Sequence, residues 1–190
     1  MVIGAERRAG PDPARISFRA LQTGDLALLY RWLPNPRVFR WYGGTAQSFA
    51  EIMAKYAPRT IGQSPTKPYL IIHDDTPIGY IQTYPLASDA EYLALVGERA
   101  GADAAAIDIF IGEDTYAGRG LGAAAVRAFL HDDVFSDPAL TRCFIDPHPD
   151  NSVAIRAYTR VGFRPLCRVA PPPPAEPCLL LCIKRRGFAA

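Results

Sequence analysis

No stretch of this sequence is apolar for long enough to span a bilayer, no block of one charge sign runs along it, and its histidines and cysteines are few and scattered. Each absence removes a class of function. Without an apolar span, no transmembrane domain and no membrane partner are expected. With 21 Lys and Arg against 19 Asp and Glu, the formal charge is only +2. That is too little for a protein that grips nucleic acid by neutralising phosphates. Cys143, Cys167, Cys178 and Cys182 lack the paired spacing of a zinc site. They read as small buried residues in a reducing compartment. The opening "MVIGAERRAGPDPAR" carries charges with no apolar region after them, so no signal peptide is expected and the default location is cytoplasmic. Residues 1–14 read as a flexible lead-in and residues 15–190 as a single domain.

What remains is the composition of an ordinary globular protein, with 49% hydrophobic and 21% charged residues. "RISFRA" (15–20) alternates like a strand. Thr23 is placed to cap a helix whose stripe is Leu26, Leu29, Tyr30 and Leu33, with Pro34 and Pro36 ending it. "PRVFRWYGG" then reads as a loop. Ser48 and Glu51 have capping-box spacing ahead of Phe49, Ile52, Met53 and Tyr56, the stripe of a second helix. "KPYLIIH" and "PIGYIQTY" flank Asp74-Asp75 and predict a hairpin. Residues 85–104 read as a surface loop. Further on, the pattern predicts a strand over 105–112, a helix over 120–134, a strand over 141–146, a helix opening at Asn151, and two strands around "APPPPAEP". The class is α+β, with a mixed, mainly antiparallel sheet of about six or seven strands flanked by about four helices.

One junction carries chemistry. In "DIFIGEDTYAGRGLGAAAVRAFL" a strand meets Gly118, Gly120 and Gly122, and an alanine-rich helix follows. A helix N-terminus has unpaired N–H groups and a partial positive charge. Glycines let an anion come close to it, and Arg119 adds a charge beside the amides. No Gly-Lys-Ser/Thr follows, so this is not a nucleotide P-loop, and the G-x-G-x-G spacing is not the dinucleotide fingerprint. A tight turn whose glycines serve packing alone is the competing reading. Asp108 is the second signal. It faces opposite to Ile107 and Ile109 on an otherwise apolar strand, where a carboxylate needs solvent or a partner.

Strand, "GRGLG", helix, strand and "NSVAIRAYTRVGF" together resemble the GCN5-related N-acetyltransferase (GNAT) family over roughly Arg15 to Lys184. Within it, "DLALLYRWL", "RWYGG", "PYLIIHDDTPIGYIQTY", "AID" and "DPHPDNSVAIRAYTRVGF" resemble the aminoglycoside 6′-N-acetyltransferases. The resemblance implies a GNAT sheet splayed between its fourth and fifth strands. It implies acetyl-CoA as cofactor, a small polycationic amine as substrate, and direct acetyl transfer that confers antibiotic resistance. It leaves monomer and homodimer both open.

For the cofactor, the resemblance points to the turn Ala117, Gly118, Arg119, Gly120, Leu121 and Gly122 holding the pyrophosphate, with Ala117 standing where the family usually has Gln or Arg. Ile109, Phe110, Ile111 and Gly112 would line the pantetheine arm, together with Asn151 and Ala154. Asn151 also reads simply as a helix cap. Tyr158 corresponds to the acid that protonates the departing sulfur, against its reading as a core aromatic. Asp108 corresponds to the residue that binds the amine or acts as its base. A free aspartate, with a pKa of about 3.9, is a poor base for an ammonium group, so orientation of the amine stands beside proton abstraction. Asp146, Asp89 and Glu91 would extend an acidic rim suited to a polycation, and Trp41, Tyr42, Gln82 and Tyr84 would wall the substrate cleft. Two alternatives keep other acceptors or no chemistry: acylation of hydroxylysine or a similar amine in siderophore assembly, and a non-catalytic acyl-CoA-binding domain.

Overall fold

The computed structural model describes residues 12–42, 48–88, 101–170 and 176–188, and positions 90, 93, 96 and 97 between them. Strand β1 (Ile16–Ala20) leads to α1 (Leu26–Trp32), α2 (Pro36–Tyr42) and α3 (Phe49–Thr60). The hairpin β2 (Lys67–His73) and β3 (Thr76–Pro85) follows, then β4 (Ala104–Ile111), α4 (Leu121–Phe129), β5 (Arg142–Ile145), α5 (Ser152–Val161), β6 (Arg164–Val169) and β7 (Cys178–Lys184). The seven strands form one sheet in the order β1-β2-β3-β4-β5-β7-β6. Only β4 and β5 run parallel, as expected for a pair joined by a crossover helix.

Local chemistry explains most element boundaries. The hairpin turns on Asp74 and Asp75, both in the left-handed region at φ 48° and 61°, the geometry that lets a two-residue turn follow strand twist. Ser48 accepts from the Glu51 N–H, and the Glu51 carboxylate accepts from the Ser48 N–H at 2.7 Å, closing the capping box of α3. The expected helix over 120–134 ends its α-helical part at Phe129 and continues as one π-turn, Leu130–Val134.

Two expectations change. The loop over "PRVFRWYGG" is in large part α2, which makes five described α-helices. Pro36 begins this helix instead of ending the previous one, because a proline at the first helical position loses no hydrogen bond. Asn35 Oδ1 accepts from the Arg37 N–H at 3.0 Å and caps it. Thr23 does not cap α1. It opens a short 3-10 turn, Thr23–Asp25, and Asp25 accepts from the Gln22 N–H and from Arg19. Most of the 1–14 lead-in lies outside the described residues, but Asp12 caps the turn Pro13–Arg15 and its carbonyl meets His73 Nε2 at 2.9 Å.

Strand alternation divides the core between two faces. Ile71, Ile81, Ile107, Leu121, Val126, Phe129 and Phe163 pack on the α4–α5 side. Leu70, Tyr80 and Phe110 pack on the other side, against Leu29, Trp32, Val38, Ile52 and Tyr56 of α1–α3. Asp108 shares the face of Phe110, and Gln82 that of Tyr80. The polar residues of interest thus emerge where the helical layer α1–α3 meets the middle of the sheet. No helix among the described residues is long and apolar enough to cross a membrane.

Candidate active site

Strand β4 is the axis of the site. Its register with β5 covers only Ala104–Arg142, Ala105–Cys143 and Ala106–Phe144. Beyond Ala106 the two strands diverge, while β4 stays paired with β3 up to Ile111. The opening is a groove of about 650 Å³, walled by Asp108, Ile109, Phe110 and Ile111 on one side and by Ile145, Asp146 and Pro147 on the other. Ala117, Gly118, Gly120, Gly122, Asn151, Ala154 and Tyr158 also line it.

The glycine turn closes one end. Gly118 and Gly120 have φ of 72° and 82°, and Gly120 is the N-cap of α4. A β-carbon would meet nothing within 4 Å at either position, so it is backbone conformation, and not space, that demands glycine there. Among the described residues the N–H groups of Gly118 to Ala123 have no backbone acceptor; the first intrahelical bond is Ala124 N–H to Gly120 O. A row of free amides at the positive end of a helix fits a pyrophosphate.

The other end carries the acids and Tyr158. Tyr158 is 9% exposed, and its phenol pKa is raised by burial first, then by the charges of Asp108 and Asp146. It therefore stays protonated throughout the neutral range. Asp108 Oδ2 accepts from Gln82 Nε2 at 2.5 Å. Gln82 Oε1 in turn accepts from the Tyr80 hydroxyl and from Arg59, each at 2.6 Å. Asp146 accepts from the Cys178 thiol, whose pKa is pushed up to about 12 by burial, by the Asp146 charge and by that hydrogen bond.

A second cavity of about 620 Å³ opens beyond the acids, lined by Trp41, Tyr42, Lys55, Arg59, Gln82, Tyr84, Asp108 and Asp146, with Ser64, Thr66 and Ser88. Trp41, Tyr42, Asp108 and Asp146 belong to both cavities. An aromatic floor lies under the junction: Tyr42 meets Phe110 edge-on at 4.7 Å, and Tyr80 stacks on Phe110 at 5.5 Å. His148 faces the Trp41 ring at 5.7 Å from the turn after β5.

The structure does not place every expected residue on these walls. The Gly112 amide pairs with Ile78 O, and a β-carbon there would lie 2.3 Å from the Trp32 indole; this glycine serves packing, not the groove. Leu121 is 1% exposed in the core, so only its amide faces the turn. Arg119 is exposed and off the groove lining. Asn151 Oδ1 caps α5 by accepting from the Ala154 N–H at 3.1 Å, and the same residue lines the groove. Asp89 and Glu91 lie outside the described residues. Four residues escaped the sequence reading. Lys55 and Arg59 look like a solvated basic pair on a helix. Cys178 looks like inert core. Arg37, which donates to Ile111 O at 2.8 Å and to Gly112 O and pairs with Asp114, was hidden in a stretch expected to be loop.

The chain matches the family described as Acetyltransferase (GNAT) domain over residues 22–170. It is 31% identical over 150 residues to aminoglycoside N(6′)-acetyltransferase type 1 of Klebsiella pneumoniae, covering 78% of this chain and 73% of that protein. Among solved structures, aminoglycoside acetyltransferase AAC(6′)-Ib in complex with coenzyme A and kanamycin superposes with a TM-score of 0.80 at 30% identity, over 91% of this chain and 96% of that one. The same enzyme with ribostamycin and coenzyme A also gives 0.80 at 30% identity, over 90% and 94%.

Proposed function

Because the chain belongs to the GNAT acetyltransferases, and among them to the aminoglycoside N(6′)-acetyltransferases, we propose that it transfers the acetyl group of acetyl-CoA to the 6′-amine of an aminoglycoside. The observation that carries this reading is the meeting of two cavities at Asp108, Asp146, Trp41 and Tyr42. One cavity suits a long thioester with a diphosphate at its far end, the other a polar amine.

In this reading the Gly118–Ala123 amides hold the diphosphate and the open edge of β4 guides the arm toward Asp108. Trp41 and Tyr42 give the sugar an apolar wall. Asp108, steadied by Gln82, orients the amine through a charge-assisted hydrogen bond. The free amine attacks the acetyl carbon; a C–N bond forms and the C–S bond breaks. Tyr158 gives its proton to the leaving sulfur, and the proton lost by nitrogen leaves through solvent in the open acceptor cavity. No covalent enzyme intermediate is needed, which is consistent with the buried Cys143, Cys178 and Cys182, whose thiol pKa values burial pushes up.

The test is thiol release from acetyl-CoA with kanamycin, with a lysine derivative, or with no amine, followed by NMR location of the new acetyl group. Kanamycin-dependent release with acetylation at the 6′ nitrogen is expected. Release with the lysine derivative alone would move the acceptor to another amine, and coenzyme A binding without release would leave a binding domain.

A further inference from the structure

Among the described residues, the acceptor cavity is lined by bases as well as acids. Its acids, Asp108 and Asp146, stand where it joins the coenzyme groove, since both line that groove as well. Lys55 and Arg59 line the acceptor cavity alone. They are four residues apart on α3 and so share a helix face. Among the described lining side chains the charges cancel, two acids against two bases. The cavity therefore has an acidic pole at the reaction centre and a basic pole on α3, with Ser64, Thr66, Tyr84 and Ser88 also on its walls.

The two bases are differently committed. Arg59 donates to Gln82 Oε1 and lies over the Tyr56 ring at 4.9 Å, so its charge supports the Asp108 network. Lys55 has the Tyr56 ring at 5.4 Å and, among the described residues, no hydrogen bond or ion pair. Its pKa is lowered by partial burial and then by the neighbouring Arg59 charge, with Asp108 opposing. An acceptor oxygen would relieve that position, and another cation would add to its cost.

We propose that Lys55 is a specificity-determining residue, selecting aminoglycosides whose rings beyond the 6′-bearing one turn hydroxyl oxygens, and not ammonium groups, toward α3. This rests on the function proposed above. A hydroxyl there accepts a charge-assisted hydrogen bond from the Lys55 ammonium. An ammonium there meets two like charges in a partly desolvated cavity, and rejection by misplaced charge is an effective source of selectivity.

The experiment compares ribostamycin, whose third ring carries only hydroxyls, with neomycin B, which extends that ring by a further ring bearing ammonium groups. Both offer a 6′-amine. The readout is the ratio of kcat/KM for neomycin B to that for ribostamycin, with kcat and KM resolved. In Lys55→Glu the ratio rises about tenfold, through a lower KM for neomycin B, and in Lys55→Arg it stays at the wild-type value. A residue needed only for folding would lower both acceptors together and would not separate Glu from Arg. An equal ratio in wild type and Lys55→Glu, with both aminoglycosides acetylated, overturns this inference and leaves the function standing. No transfer to either by the folded wild type overturns the function and this inference together.

Discussion

Gln82 and Asp108 sit opposite each other across β3 and β4, and the Gln82 amide donates to Asp108 Oδ2 at 2.5 Å. The same glutamine holds Arg59 and the Tyr80 hydroxyl through its oxygen, so one side chain links the acid to the cationic wall of the acceptor cavity. Replacing Gln82 with Leu removes one donor from Asp108 and takes this acceptor from Arg59 and the Tyr80 hydroxyl. We expect kcat/KM for the aminoglycoside to fall about tenfold in Gln82→Leu and about 100-fold in Asp108→Asn. Steady-state kinetics with saturating acetyl-CoA measures both.

Tyr158→Phe is expected to keep the fold and lower kcat about 100-fold. Burial, then Asp108 and Asp146, raise the Tyr158 pKa, so the phenol stays protonated as pH passes the value near ~10 where a free tyrosine ionises. The wild-type kcat profile should therefore show no fall below pH 10 that is absent from Tyr158→Phe. A falling limb near pH 9 that the substitution abolishes would contradict the raised pKa, and an unchanged kcat in Tyr158→Phe would contradict the role.

Gly120→Ala puts a side chain at φ 82° on the N-cap of α4. A left-handed alanine costs about 1–2 kcal/mol, and relaxing that strain turns the amides of the loop. Urea denaturation should show the stability loss. Calorimetry should show coenzyme A binding weakened by more than the lost folded fraction explains.

The Arg19 guanidinium makes two bonds of 2.9 Å to Asp25, which also accepts from the Gln22 N–H at 2.8 Å. Burial alone would raise the Asp25 pKa, but these bonds hold it below its ordinary value. A depressed carboxylate pKa stabilises the fold above the unfolded value near ~3.9, and that contribution disappears as pH falls through the folded value. Asp25→Asn should cost about 1 kcal/mol at pH 7, a modest figure because Arg19 is part exposed. The gap from wild type should shrink as pH falls below about 4, as urea titrations at pH 7 and pH 3 would report.

Much of the site was legible because its parts are local. A glycine turn before a helix, an acid on an apolar strand and a capping asparagine are each written within a few residues. The α4 N-terminus, Asp108 and Asn151 stand where those patterns put them. What escaped depends on distant contacts. Pro36 ends one helix or starts another with equal ease, and packing of Val38 against the sheet decides. Lys55 and Arg59 differ from a solvated pair because β3 brings Gln82 to Arg59 and the fold sets both against the cavity that holds Asp108 and Asp146. Cys178 gains its partner through the pairing of β5 with β7. Gly112 looked like part of the groove until the Trp32 indole filled its side.

The divergence of β4 from β5 after Ala106 has an evolutionary consequence. A coenzyme recognised through peptide groups is blind to the identity of the residues that carry them, so conservative substitutions at Ile109 and Ile111, which line the groove outside the fully buried core, can accumulate without loosening it. The amine, in the function proposed here, is read by side chains from α2, α3 and β3 and by Asp108 of β4. A lineage can thus exchange acceptors by mutating one wall while inheriting the other intact.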